Sequence, residues 1–212
     1  MAGAARNRRW IAFTALAAGY ALLAHHSMAT DSAGLGTPLA LAPLAVAAFS
    51  LAWHSKHRIA MLLLALAVCG SLSMEWTALQ HHFGMIYWIE HAGTELLLGI
   101  AFGRTLAAGR EPMCTHFARM AHGTMTPELA SYSRTVTKAW TLFFIGMSIA
   151  STAIFFTAPL AIWSMFANFL TAALIAAMFI VEYAIRRLSL PDLEHAHILT
   201  AVKLFWEKPS NR

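Results

Sequence analysis

The sequence predicts an all-α membrane protein: a bundle of six transmembrane helices, with short amphipathic helices in the largest cytoplasmic loop and in the C-terminal tail. Three observations carry this. Of the 212 residues, 58% are apolar with glycine left out, against about 45–50% for a soluble domain with glycine counted in. Charged residues make up only 12%, roughly half the usual ~25%, and they sit in short segments between long apolar runs. With the N-terminus placed inside, the four cytoplasmic segments carry three, two, five and five basic residues, which is all 15 in the chain. The outside loops carry none, as the accumulation of Lys and Arg in cytoplasmic loops requires.

In chain order, Arg6, Arg8 and Arg9 precede the first apolar run, residues 10–28, which has Trp10 at its entrance and His25-His26 at its far end. Ser27-Met28-Ala29 resembles a signal-peptide cleavage site, but the run is long for a signal peptide and paired histidines are out of place there, so it reads as a span. A turn-rich loop with Asp31, Gly34 and Gly36 leads to the second span, residues 38–53. Lys56 and Arg58 then introduce the third, residues 59–79, with Glu75 and Trp76 near its end. The fourth is residues 84–103. The fifth, residues 139–157, turns at Ala158-Pro159 into the sixth, residues 160–185. One domain over residues 1–212 results.

The segment from Arg104 to Lys138 is too charged to span. Glu111-Pro112 opens one short helix with a Met113, Phe117, Met120 stripe opposite His116 and Arg119. Thr126-Pro127-Glu128 opens a second, with Thr as N-cap, Pro at the first helical position and Glu favourable to the dipole. In the tail, Pro191-Asp192 starts a helix whose Leu193, Val202 and Phe205 fit a lipid surface or a docking face. Cys69 in a span and Cys114 in a loop lie at different levels, which gives no disulfide framework. The net charge of +5 comes from span-flanking residues and not from a basic platform interleaved with aromatics, which argues against nucleic acid.

The fourth span is where chemistry concentrates, because it carries Glu90, His91 and Glu95. At ~1.5 Å per residue, Glu90 and His91 lie ~9–10 Å inside one face of the bilayer and Glu95 near its midplane. His91 and Glu95, four apart, share one face of the helix with Thr94 beside them. The topology brings further polar groups to the outer half of the membrane: His25, His26, Glu75, His81, His82 and Asn168. Such a set can relay protons or carry a substrate, hold a transition metal or give axial histidines to a haem. The metal or haem candidates are His25, His26, His81, His82 and His91, in no recognised ligand spacing. It can equally be structural glue, a buried carboxyl keeping its proton and sharing bonds with Asn168, a Ser or a His. Glu182 and Arg186, four apart, read as an anchoring ion pair, and Ser133, Thr135 and Thr137 as an interfacial entrance.

The runs Gly109-Arg110-Glu111-Pro112-x-Cys114, Tyr132-Ser133-Arg134-x-Val136-Thr137-x-Ala139-Trp140-Thr141-x-Phe143-Phe144, Trp163-Ser164-x-Phe166-x-Asn168 and Glu182-Tyr183-x-x-Arg186-Arg187 carry a resemblance. The chain, from the fourth span onward, resembles a family of bacterial inner-membrane proteins, themselves uncharacterised. That family is associated with gene clusters for fatty-acid-synthase-like products such as aryl polyene pigments. The charge partition puts both termini in the cytoplasm, and the resemblance implies a multi-pass protein of the bacterial inner membrane. It also implies a non-catalytic, transporter-like accessory to a hydrophobic or acyl product, partnered by the bilayer and by acyl-processing enzymes. It offers no catalytic residues and no defined cofactor.

Overall fold

A computed structural model describes residues 2–122 and 125–190 of the chain. Among them every regular element is helical. Helix α1 covers Ala2–Ala29, α2 Ala33–His54, α3 Arg58–Met74, α4 Trp76–His81, α5 Phe83–Arg104, α6 Met113–His122 and α7 Pro127–Thr157. Helix α8, Leu160–Met165, runs through a π-turn at Phe166–Leu170 into α9, Thr171–Ser189. Four stretches are long and apolar enough to cross a bilayer: Trp10–Ala29, Ala33–His54, Pro127–Thr157 and Leu160–Ser189. Their outer surfaces suit lipid, since Leu16, Val46, Leu51 and Leu142 are all largely exposed and so many open apolar side chains would mark an interaction surface in water.

The structure departs from the expected span pattern at two places. The third expected span, residues 59–79, is broken at Glu75, whose backbone (φ −96°, ψ 22°) is off the helical region. This leaves α3 with 17 residues, the lower limit for a crossing helix. Helix α5 has the length, 22 residues, but Glu90, His91 and Glu95 dilute its apolar character. Four helices, and not the expected six, therefore satisfy both criteria among the described residues.

The second departure concerns residues 127–157. The expected cap is present, with Leu129 N–H donating to Thr126 Oγ1 at 3.2 Å. The helix it opens does not stop before residue 139, because no proline and only one glycine, Gly146, falls between Glu128 and Thr157. The predicted short helix and fifth span are one 31-residue helix. Helix α6 begins at Met113, one residue after the expected Glu111-Pro112 start. The tail helix expected from Pro191-Asp192 lies outside the described residues.

The chain divides into two compact units. One takes the chain through His91 together with Ser151–Thr171; the other takes residues from Ala92 to Ala150 and from Ala172 onward. In the first unit the core is Ala24 and Met28 of α1, Ala40 of α2, Phe83 and Tyr87 of α5, and Trp163 of α8. Gly36 is needed where it stands, because a Cβ there would run into the Phe83 ring. Asp31 makes the α1–α2 turn at φ +49°, a conformation Asp tolerates better than most residues. Pro43 inside α2 has no N–H to give the carbonyl four residues back, that of Leu39. The Tyr20 hydroxyl donates to this carbonyl from α1 at 3.4 Å, the kind of side-chain substitution that makes proline tolerable in an apolar helix.

In the second unit, Gly99 and Gly103 let α5 approach α7. A Cβ on Gly99 would lie 2.8 Å from Ile145 Cγ1 and 3.3 Å from the Ile145 nitrogen, and one on Gly103 would lie 3.2 Å from Thr141 Cγ2. This is the small-residue spacing that membrane helices use for close packing. Gly99→Leu is therefore expected to destabilise the detergent-purified protein by about 1–3 kcal/mol through overpacking, seen as a lower Tm, whereas Gly93→Leu, with open space at its Cβ, should not.

The same unit fastens α6 to α7. Cys114 N–H donates to Thr137 Oγ1 at 3.1 Å, and the buried Thr115 and Ser133 hydroxyls are 2.8 Å apart. Phe117 and Met120 stay exposed, consistent with the expected apolar stripe, while Glu111 pairs with Arg119 at 3.0 Å. Ser133 and Thr137, read from sequence as an interfacial entrance, are thus the attachment points of α6. The Tyr132 hydroxyl lies within bonding distance of the Glu182 carbonyl (3.1 Å) and carboxylate (3.3 Å), and Glu182 faces Arg186 at 3.5 Å, the expected pair. Both cysteines are free. Burial, reinforced by the Glu182 carboxylate, pushes the Cys114 thiol up from its ordinary value against an opposing bond to Thr137.

Candidate functional site

His91 is the centre of a buried hydrogen-bonded chain in the first unit. Its Nδ1 lies 2.9 Å from Ser151 Oγ on α7, and its Nε2 lies 3.0 Å from Thr171 Oγ1 at the start of α9. Trp163 Nε1–H donates to Ser151 Oγ at 3.1 Å, and Thr171 Oγ1–H donates to the Phe166 carbonyl at 3.0 Å. These bonds assign the tautomer. Thr171 has spent its only proton on a carbonyl, so His91 must donate through Nε2–H, and Ser151, which accepts from Trp163, is free to donate to Nδ1. The result is a one-way sequence from Trp163 through Ser151, His91 and Thr171 to a backbone carbonyl, with every proton used. The edges of Trp163 and Phe166 close around the imidazole at centroid separations of 6.1 and 5.9 Å.

The π-turn is what makes this arrangement possible. At its end Thr171 N–H bonds to Phe166 O, five residues back, and the Thr171 hydroxyl reaches the same carbonyl. Such turns recur at functional sites. Within the turn, Asn168 Nδ2 donates to the Ser164 carbonyl at 3.0 Å and to Ser164 Oγ at 3.2 Å. Ser164 Oγ in turn lies 3.0 Å from His25 Nδ1, so its own proton is available to that nitrogen. Ser151 and Ser164 are fully buried, which leaves protein groups as their only partners.

Beside these satisfied groups stand others that are not satisfied. Glu90 Oε1, the Tyr87 hydroxyl and Thr37 Oγ1 are buried without a hydrogen-bond partner. The Tyr87 hydroxyl lies next to those of Tyr20 and Ser27 without a well-formed bond to either, and the Glu90 carboxyl is close enough to act electrostatically on both tyrosines. In the second unit, Glu95 is only 5% exposed and its Oε2 also has no partner. Buried polar atoms of this kind are few in native proteins and call for an account.

Of the residues singled out from sequence, His25, His91 and Asn168 are drawn into the hydrogen-bonded groups. Asn168, one of the alternative partners considered for a buried carboxyl, bonds to Ser164. His26, Glu75, His81 and His82 are exposed and stand apart from the network. Among the described residues no three His, Cys, Asp or Glu side chains group to hold a metal. Ser151, Thr171, Trp163, Tyr20 and Tyr87 were not anticipated. The spacing of Ser164, Asn168 and Thr171, four and then three residues apart, does mark one polar face in an otherwise apolar run.

Long apolar helices that bury a saturated polar network and isolated carboxyls define a helical membrane-embedded protein with a polar interior. No protein-family model, no curated protein and no solved structure matches the chain.

Proposed function

We propose that the chain is a six-span protein of the bacterial inner membrane with both termini in the cytoplasm. It acts as a non-catalytic, transporter-like component for a hydrophobic or acyl product, and Glu90 handles a proton beside a fixed His91. One observation carries the proton role: His91 has its hydrogen-bonding capacity used up, whereas one buried oxygen of the neighbouring Glu90 has no partner. A purely structural polar group would be expected to find partners, since an orphaned one costs ~1–3 kcal/mol. An oxygen left open inside an apolar helix suits a proton or polar group that comes and goes. The cargo class is supported by the family resemblance of the second half. The two additional spans are α3, just long enough, and α5, which has the length and whose His91 is bonded within the protein.

Two experiments test this reading. Reporter fusions should place Gly36 and His82 outside and His57 and His122 inside; a cytoplasmic signal at His82 would refute the six-span arrangement. In a strain lacking the gene, wild type should restore the level of acyl product in the envelope, while Glu90→Gln, folded and inserted at normal abundance, should not. Full restoration by Glu90→Gln removes the proton role, and an unchanged product level in the deletion strain itself removes the cargo.

A further inference from the structure

A groove of about 490 Å³ runs along the exposed face of α2, lined by Ala45, Val46, Phe49, Ser50, Trp53 and His54. It is chemically divided along its length. The small Ala45 and Val46 side chains, with the Phe49 and Trp53 rings stacked at 5.7 Å, make an apolar trough within the size range of small-molecule sites. The other end is cationic. The Arg58 guanidinium lies 5.3 Å from the centre of the ring of Trp53, a lining residue at that end, in a cation–π contact. His54 Nδ1–H donates to the Ser50 carbonyl at 2.8 Å, a group that can only accept, so Nε2 is left for another partner. Lys56 is exposed in the intervening turn.

We propose that this groove binds a phospholipid with an anionic headgroup, one acyl chain lying along Ala45 to Trp53 and the phosphate at Arg58, with His54 Nε2 accepting from a headgroup hydroxyl. The two halves of the groove are complementary to the two halves of that molecule. A neutral hydrocarbon would leave Arg58 without a role, and a free phosphate would leave the trough without one. Arginine matches phosphate through its planar fork of donors. The charged end of a span also lies at headgroup level whichever way the helix is oriented, where anionic lipid attracts basic residues. The site is independent of the proton role given to Glu90.

The test uses the full chain in nanodiscs of equal phosphatidylglycerol and phosphatidylcholine, with retained lipid counted by native mass spectrometry after transfer to detergent. Wild type should keep phosphatidylglycerol in preference to phosphatidylcholine. Arg58→Gln should reduce that preference roughly fivefold. Val46→Trp, which fills the trough and leaves the charges alone, should lower retention of both lipids, and each variant is compared only if its Tm matches wild type. Excess inorganic phosphate should not displace the lipid. Equal retention of the two lipids by wild type, an undiminished preference in Arg58→Gln, unchanged retention in Val46→Trp, or displacement by phosphate would each overturn the proposal.

Discussion

Replacing His91 with leucine is expected to lower stability by about 2 kcal/mol, since two interhelical bonds are lost at ~1 kcal/mol each. In a chain of this size that is a Tm lower by about 4–8 °C. The two broken bonds are those to Ser151 and Thr171, and Ser151 also loses the acceptor for its proton. His91→Gln separates structure from function. Its amide offers one acceptor and donors, so it can take the bond from Ser151 and give one to Thr171 without ever carrying a proton charge. The Gln variant should melt within a degree or two of wild type. If His91 takes part in proton handling, the same variant should fail to complement a deletion strain; if it only positions Glu90's surroundings, it should complement fully. A Gln variant as unstable as the Leu variant would show that the amide cannot replace the imidazole in the bonds to Ser151 and Thr171.

Glu95→Leu is expected to leave stability unchanged or raise it by up to about 1–3 kcal/mol, the cost of one orphaned buried polar group, while abolishing any function that depends on the carboxyl. The sequence alone suggests the opposite sign, since a buried carboxyl is expected to hold an interhelical bond. In the structure Oε2 has no bond to lose, and leucine replaces a desolvated polar group with one that suits its surroundings. Glu95→Gln keeps the size and leaves a polar atom in the same position, so it should not gain stability. Thermal unfolding in detergent, read beside complementation, checks both variants. A Glu95→Leu protein that melts well below wild type would mean the carboxyl is held by a bond after all and belongs with the glue.

How far the sequence is legible depends on whether a residue's signal is local. Thr126-Pro127-Glu128 is a complete helix-start signal, and α7 does start there. The cost of placing Glu90, His91 and Glu95 in an apolar run marks α5 as the helix of interest, and its ends fall within one residue of expectation. The break at Glu75 has no such signal, since neither glycine nor proline stands there. His91 can be picked out as expensive, but its partners cannot, because Ser and Thr are ordinary in membrane helices and their pairing depends on how the helices meet. Gly99 and Gly103 have the spacing of a close-packing pair, yet which helix they face is a tertiary fact. The outer histidines illustrate the converse: the sequence offers His26, His81 and His82 together as candidates, yet among the described residues no three His, Cys, Asp or Glu side chains group to hold a metal.

The π-turn has a consequence for how sequences related to this one should be aligned. A π-turn is an α-helix carrying one residue more than it needs, so Phe166–Leu170 behaves as an insertion that has been kept. Deleting a single residue, such as Ala167, would turn the five-residue bond from Thr171 to Phe166 into the ordinary four-residue one, and the helix beyond would keep its facing with Thr171 still beside His91. Winding the full-length stretch as plain α-helix would instead turn everything downstream by ~100° and carry Thr171 away. A second chain one residue shorter here would therefore look out of step from this point onward and yet keep the bond.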